Sequence, residues 1–198
     1  MILYDNPISG NCYKVRLLLA QLGEVACERR ELSVTDRSDR ERILGGLNPG
    51  LRVPTLVLDD GRPLAESGAI LCYLARGSDL WPEEPYAHAQ TLQWLFFEQY
   101  SHEPYIAVAR FWTIAGITPS GEAAAEKRRG GERALQALDR HLADNPFLVA
   151  DRYTIADIAL YAYTHVAPEG GFSLDPHPAI RRWLDRVAAE PEHISIDA

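Results

Sequence analysis

The chain has 198 residues and a formal net charge of −8, with 46% hydrophobic and 24% charged residues. That length accommodates one or two domains with a sizeable core, and the composition is ordinary for a globular protein. The acidic balance, with Lys and Arg scattered, argues against a nucleic-acid partner. No apolar run approaches membrane-spanning length, so no membrane partner is expected. Cys12, Cys27 and Cys72 are an odd set without paired spacing. They read as reduced thiols of a cytoplasmic protein, not as a disulfide framework or a zinc site. Met1–Asp5 looks like a strand and has no basic leader, so no signal peptide is indicated. There is no Walker loop, dinucleotide glycine pattern or HExxH, and no metal is expected.

In chain order, Ile2-Leu3-Tyr4 is a short strand, followed by a turn-rich stretch to Gly10. Val15, Leu18, Leu19 and Leu22 fall at helical spacing. Ser9 or Asn11 can cap that helix at its start, and Gly23 closes it. Val25–Leu32 reads as a second strand and Asp36–Leu44 as weakly helical. A strand over Val53–Leu58 meets a hairpin turn at Asp59-Asp60-Gly61. Arg62–Ala65 returns, and a helix over Ser67–Ala75 closes the unit. This βαβ-ββα order predicts a mixed four-stranded sheet covered by helices.

Residues 77–86, with Pro82 and Pro85, form the best linker. It divides a first domain over 1–76 from a second over 87–198. Strand signals then vanish, and the second domain reads as all-α. His88–Ala115 is an aromatic-rich helix that Pro104 should kink or split. Glu122–Leu142 follows, with Gly130-Gly131 weakening its interior. Thr154–Val166 is strongly apolar, and Pro178–Ala189 is the last helix. Tyr153-Thr154-Ile155-Ala156-Asp157-Ile158 is a capping box with its staple, so Asp157 reads as a folding residue. His102 and Glu103 read as surface residues, and His177 as part of a turn.

Three stretches carry chemistry. In Arg52-Val53-Pro54-Thr55-Leu56, proline interrupts an apolar strand, which places it at an edge or a strand start. A cis bond at Pro54 would leave the Val53 N–H and C=O facing outward, open to an extended peptide. In Leu64-Ala65-Glu66-Ser67-Gly68, an acid and a serine open a helix whose free N–H groups suit a carboxylate. Ser9-Gly10-Asn11-Cys12 lies between first strand and first helix, where thioredoxin-like redox proteins hold Cys-x-x-Cys. Only Cys12 of that pair remains. A first helical turn would stabilise its thiolate, while a small semi-buried residue is the plainer reading.

Val53-Pro54-Thr55-Leu56 followed by Glu66-Ser67 resembles the glutathione site of cytosolic glutathione S-transferases, and the whole chain is similar to that family in length and order of parts. The resemblance implies a thioredoxin-like N-terminal domain, an all-helical C-terminal domain and a homodimer. It also implies glutathione as co-substrate and a small, mostly apolar electrophile as second substrate. Ser67 would take the γ-glutamyl carboxylate, Glu66 the amino group, the Val53 backbone the cysteinyl unit and Arg52 the glycyl carboxylate. The family's usual glycine before that basic residue is Leu51 here. Ser9, with Asn11 as a second donor, would hydrogen-bond the glutathione thiolate and lower its pKa. A thiol near ~8.5 is mostly protonated at neutral pH, and lowering it by roughly two pH units reverses that. The second substrate's pocket would involve Tyr105, Arg110, Phe111 and Trp112. The rivals are a glutathione-dependent oxidoreductase using Cys12, and a binding or regulatory protein on the same scaffold.

Overall fold

The computed structural model describes residues 1–23 and 25–198. They form two compact units, Met1–Ser78 with Pro191–Ala198, and Asp79–Glu190. The first unit holds β1 (Ile2–Asp5), α1 (Gly10–Gln21), β2 (Glu28–Glu31), α2 (Arg40–Leu44), β3 (Thr55–Val57), β4 (Pro63–Ala65) and α3 (Ser67–Leu74). The sheet order is β2-β1-β3-β4, with β1 and β2 parallel and the other pairs antiparallel. This is the expected thioredoxin-like mixed sheet. Leu3, Val15, Leu56 and Ile70 make its core, one each from β1, α1, β3 and α3. Each such burial is worth roughly 1.5–3 kcal/mol.

Three elements are shorter than their sequence suggests. The apolar start of the second strand, Val25-Ala26, stays outside β2: pairing begins at Ile2↔Glu28, and the Ala26 carbonyl accepts from the Met1 amino group, at 3.3 Å. α2 begins only at Arg40, because Ser33 Oγ accepts the Asp36 N–H (3.0 Å) and Asp36 Oδ1 accepts the Ser38 N–H (3.0 Å). Such side-chain bonds offer the backbone an alternative to helix. β3 begins at Thr55, after a cis Val53–Pro54 bond. It lies between β1 and β4 and is no edge strand, so only the residues before it are left outside the ladder.

Residues 191–198, grouped by sequence with the helices, pack on the first unit. The buried Tyr13 hydroxyl donates to the Ile194 carbonyl at 2.7 Å, and Arg16 Nη2 donates to the Ile196 carbonyl. Arg16 also pairs with Asp5 at 2.8 Å, both buried, which ties α1 to the end of β1.

The second unit is helical: α4 (Pro85–Phe97), a π-helical turn (Glu98–His102), α5 (Glu103–Ile114), α6 (Gly121–Asp144), α7 (Ile155–Thr164), a 3₁₀ turn (Ala167–Gly170) and α8 (Pro178–Ala188). The Glu84 carboxylate caps α4 by accepting the Tyr86 and Ala87 N–H groups at 3.0 and 2.8 Å. The break expected at Pro104 takes the form of the π-turn just before it. A residue without an N–H cannot continue the upstream ladder, and the wider turn absorbs the mismatch. His102 is not at the surface: it is fully buried, with Nε2 3.0 Å from Thr164 Oγ1. Gly130 and Gly131 have a packing reason, because a Cβ there would lie 2.1 Å from the Tyr105 ring and 2.3 Å from the Phe172 ring. Among the described residues no helix is long and apolar enough to cross a membrane, and no cluster of side chains could hold a metal ion.

Candidate functional site

Sheet register gathers three strand ends. Tyr4 pairs with Thr55, and Thr55 pairs with Ala65. The loop after β1, the residues before β3 and the start of α3 therefore meet at one end of the sheet.

Val53 stands just outside the ladder. Its N–H and C=O have no hydrogen-bond partner among the described residues, and its side chain is half-buried. Leu51 takes φ 51°, the left-handed conformation that favours glycine. The turn is held from beneath by buried Asn48, whose Nδ2 donates to the Arg52 carbonyl (3.0 Å) and to Thr55 Oγ1 (2.9 Å). Val53, Leu51 and Arg52 line one open cleft with Ser9, Arg37 and Arg40. Arg37 and Arg40 were not singled out by sequence, because the stretch holding them reads as an ordinary solvated face. Arg40 is only 3% exposed, donates from Nη2 to the Ser33 carbonyl, and leaves Nε and Nη1 without a hydrogen-bond partner among the described residues.

Ser9 is the N-cap of α1, with Oγ accepting the Cys12 N–H at 3.3 Å. That bond uses an acceptor, so the hydroxyl proton remains available to donate. Asn11 points elsewhere. Its Oδ1 accepts from Lys14 Nζ at 2.7 Å and from the Ser67 hydroxyl at 3.2 Å. Ser67 is buried at the first position of α3, and Lys14 Nζ lies 3.4 Å from its Oγ. Glu66 is exposed and holds φ 65°, an unusual conformation for a side-chain-bearing residue.

A stabilised thiolate at Cys12 is not what the surroundings favour. Cys12 is fully buried, and burial, with the Asp5 carboxylate second, pushes its thiol up to about 12. The helix start is outweighed by desolvation. With a thiol reagent at pH 8, Cys27 and Cys72, both half-buried, are expected to label before Cys12 in the native chain. Site-resolved mass spectrometry checks this, and Cys12 labelling at the rate of a free thiol would contradict it.

The sequence model described as the glutathione S-transferase N-terminal domain matches residues 8–76, and that of the C-terminal domain matches residues 86–191. The chain belongs to the glutathione S-transferase family. A crystal structure of a glutathione S-transferase from Pseudomonas fluorescens [Pf-5] is 45% identical, covers 98% of each chain and superposes with a TM-score of 0.93. Glutathione S-transferase 2 of Anopheles gambiae is 31% identical over 94% of this chain and 89% of its own. The disulfide-bond oxidoreductase YfcG of Escherichia coli (strain K12) is 30% identical over 73% of this chain and 71% of its own.

In this transferase-family chain, the four residues expected to line a second-substrate pocket do not converge. Arg110 is buried and ion-paired with Glu169 at 2.7 Å. Tyr105 lies against Gly130, with Lys127 5.4 Å over its ring. Phe111 is exposed. Trp112 lines a pocket of about 180 Å³ with Ala109, Phe172 and Lys127, built wholly within the helical unit. Aromatic residues at helical spacing signal several faces of one helix, and spacing does not say which face meets a ligand. Lys14 was likewise missed, because a lysine five residues after the cap of a helix gives no sign that it is buried.

Proposed function

We propose that the chain is a glutathione transferase that activates the glutathione thiolate for attack on a small, mostly apolar electrophile. The observation that carries this is the unpaired Val53 backbone in the same cleft as Ser9. An extended peptide pairing with Val53 would bring its middle residue toward the Ser9 hydroxyl. The γ-glutamyl carboxylate would go to Ser67 and the α3 N-terminus, and the amino group to Glu66. The glycyl carboxylate would meet Arg52, with Arg37 and Arg40 beside it. Ser9 would donate to the thiolate, and Asn11, engaged with Lys14 and Ser67, would act on the carboxylate side. Nucleophile activation and positioning would do the catalysis, in a reducing, cytoplasm-like compartment. A homodimer fits the exposed Phe96 and Tyr100 rings, which a partner would cover.

Saturating glutathione is expected to raise the melting temperature by about 5–10 °C, since ligand at roughly a hundred times Kd adds about 2.7 kcal/mol. An activated aryl halide is expected to yield the glutathione thioether. No thermal shift and no thioether would contradict the reading and favour a binding protein that has lost the tripeptide site.

The name of the E. coli relative favours a second reading, glutathione-dependent disulfide reduction. The burial of Cys12 weighs against it as the nucleophile. Cys12→Ser would abolish a Cys12-dependent reduction and spare conjugation.

A further inference from the structure

The site holds a charge that its sequence motif does not announce. Lys14 lies on α1 and is 1% exposed, as buried as the core leucines. Carrying an ammonium into a protein interior is costly unless hydrogen bonds and charge complementarity offset it. Its Nζ donates to Asn11 Oδ1 at 2.7 Å and reaches Ser67 Oγ at 3.4 Å. Ser67 in turn donates its hydroxyl proton to the same Asn11 oxygen at 3.2 Å. Three side chains from two helices thus close a triangle directly behind the first residue of α3.

We infer that Lys14 is a positioning residue for an α-amino-acid carboxylate bound at Ser67, acting through Ser67 and Asn11. This rests on the proposed glutathione site. A hydroxyl has one proton to give and two lone pairs to fill. In the closed triangle that proton is spent on Asn11. Because Lys14 also donates to the Asn11 oxygen, the Ser67 proton can turn outward to an arriving carboxylate without orphaning a buried acceptor. Lys14 meanwhile donates into the rear of Ser67 Oγ, which fixes the hydroxyl and makes its proton a stronger donor. The buried positive charge lies one hydrogen bond behind the anion's seat, where water screens it little. Lys14 itself would not touch the ligand.

The test compares two ligands by titration calorimetry: glutathione, and 4-aminobutyryl-cysteinyl-glycine, which lacks only the γ-glutamyl α-carboxylate. Lys14→Met removes the charge. Asn11→Asp keeps the shape but neutralises Lys14 and captures the Ser67 proton in a charge-assisted bond. Asn11→Asp is the reserve should Lys14→Met not fold. Either variant is expected to bind glutathione roughly ten-fold or more weakly, the scale of one charged hydrogen bond. Either should bind the decarboxylated analogue within about two-fold of the parent, an outcome a merely structural role would not give. Equal losses for both ligands, or no loss for either, would overturn the inference and leave the glutathione site standing. Failure of the parent protein to bind glutathione would overturn both.

Discussion

Asp157→Ala is expected to lower the free energy of unfolding by about 4 kcal/mol. Asp157 is fully buried at the third position of α7. Its Oδ1 accepts from the Leu148 N–H at 3.0 Å and from Trp183 Nε1 at 2.9 Å. Its Oδ2 accepts from the Thr154 N–H at 2.9 Å and the Thr154 hydroxyl at 3.2 Å. Removing the carboxylate strands these donors in a dry interior, each at a cost of about 1–3 kcal/mol, with partial relaxation between them. A urea denaturation series should show a lower midpoint at nearly unchanged slope. Activity per folded molecule should be unaltered. A loss below about 1 kcal/mol would reduce Asp157 to an ordinary helix cap.

The same carboxyl gives a pH signature. Burial pushes it up to about 6, against the four hydrogen bonds that oppose the shift. Between roughly pH 4 and 6 the folded chain therefore binds more protons at Asp157 than the unfolded chain does. Stability from this group is fully present below pH 4 and is lost as pH rises through 6. Relative to an Asp157→Asn variant, the parent should thus lose up to about 3 kcal/mol between pH 4 and pH 7. A stability difference that stays flat across that window would mean that the hydrogen bonds win over burial.

The largest expected effect on activity is at Ser9. Ser9→Ala should shift the acidic limb of the kcat/KM profile upward by about 1–2 pH units, as expected for a thiolate that loses a hydrogen bond. Near pH 6.5 that is a loss of roughly ten-fold or more, which fades at high pH as the thiol ionises unaided. Glutathione affinity should stay within about two-fold, because Val53 and Ser67 would carry the binding. Ser9 also caps α1 through the Cys12 N–H, so the two roles must be separated. Ser9→Gly does this, since glycine at an N-cap costs only about a few tenths of a kcal/mol while alanine costs about 1. Equal profile shifts in a well-folded glycine variant and a less stable alanine variant would assign the effect to the hydroxyl. An unmoved profile would remove Ser9 from the chemistry.

The fold was legible where periodicity and punctuation agree. Val15, Leu18 and Leu19 on one stripe gave α1, Asp59-Asp60-Gly61 gave the β3–β4 turn, and Thr154 with Asp157 gave the start of α7. It was less legible where pairing partners set the limits. The apolar Val25 lies outside β2, whose pairing with β1 starts at Glu28, and no local signal in the sequence reports that. At the candidate site, Val53 and Ser67 were visible because proline and a helix start leave backbone groups open. Lys14 and Arg40 were not, because a buried cation looks the same in sequence as a solvated one. For Cys12 the structure favours the plainer of the two readings, a small buried residue, over a stabilised thiolate: helix position is local, but desolvation belongs to the packed structure.

The most direct measurement is a crystal structure with glutathione bound. The account predicts a tripeptide lying along the cleft, its cysteinyl N–H and C=O paired with Val53, its γ-glutamyl carboxylate at Ser67 and its sulfur nearest the Ser9 hydroxyl. A tripeptide bound elsewhere, or a sulfur lying closest to a group other than Ser9, would contradict it.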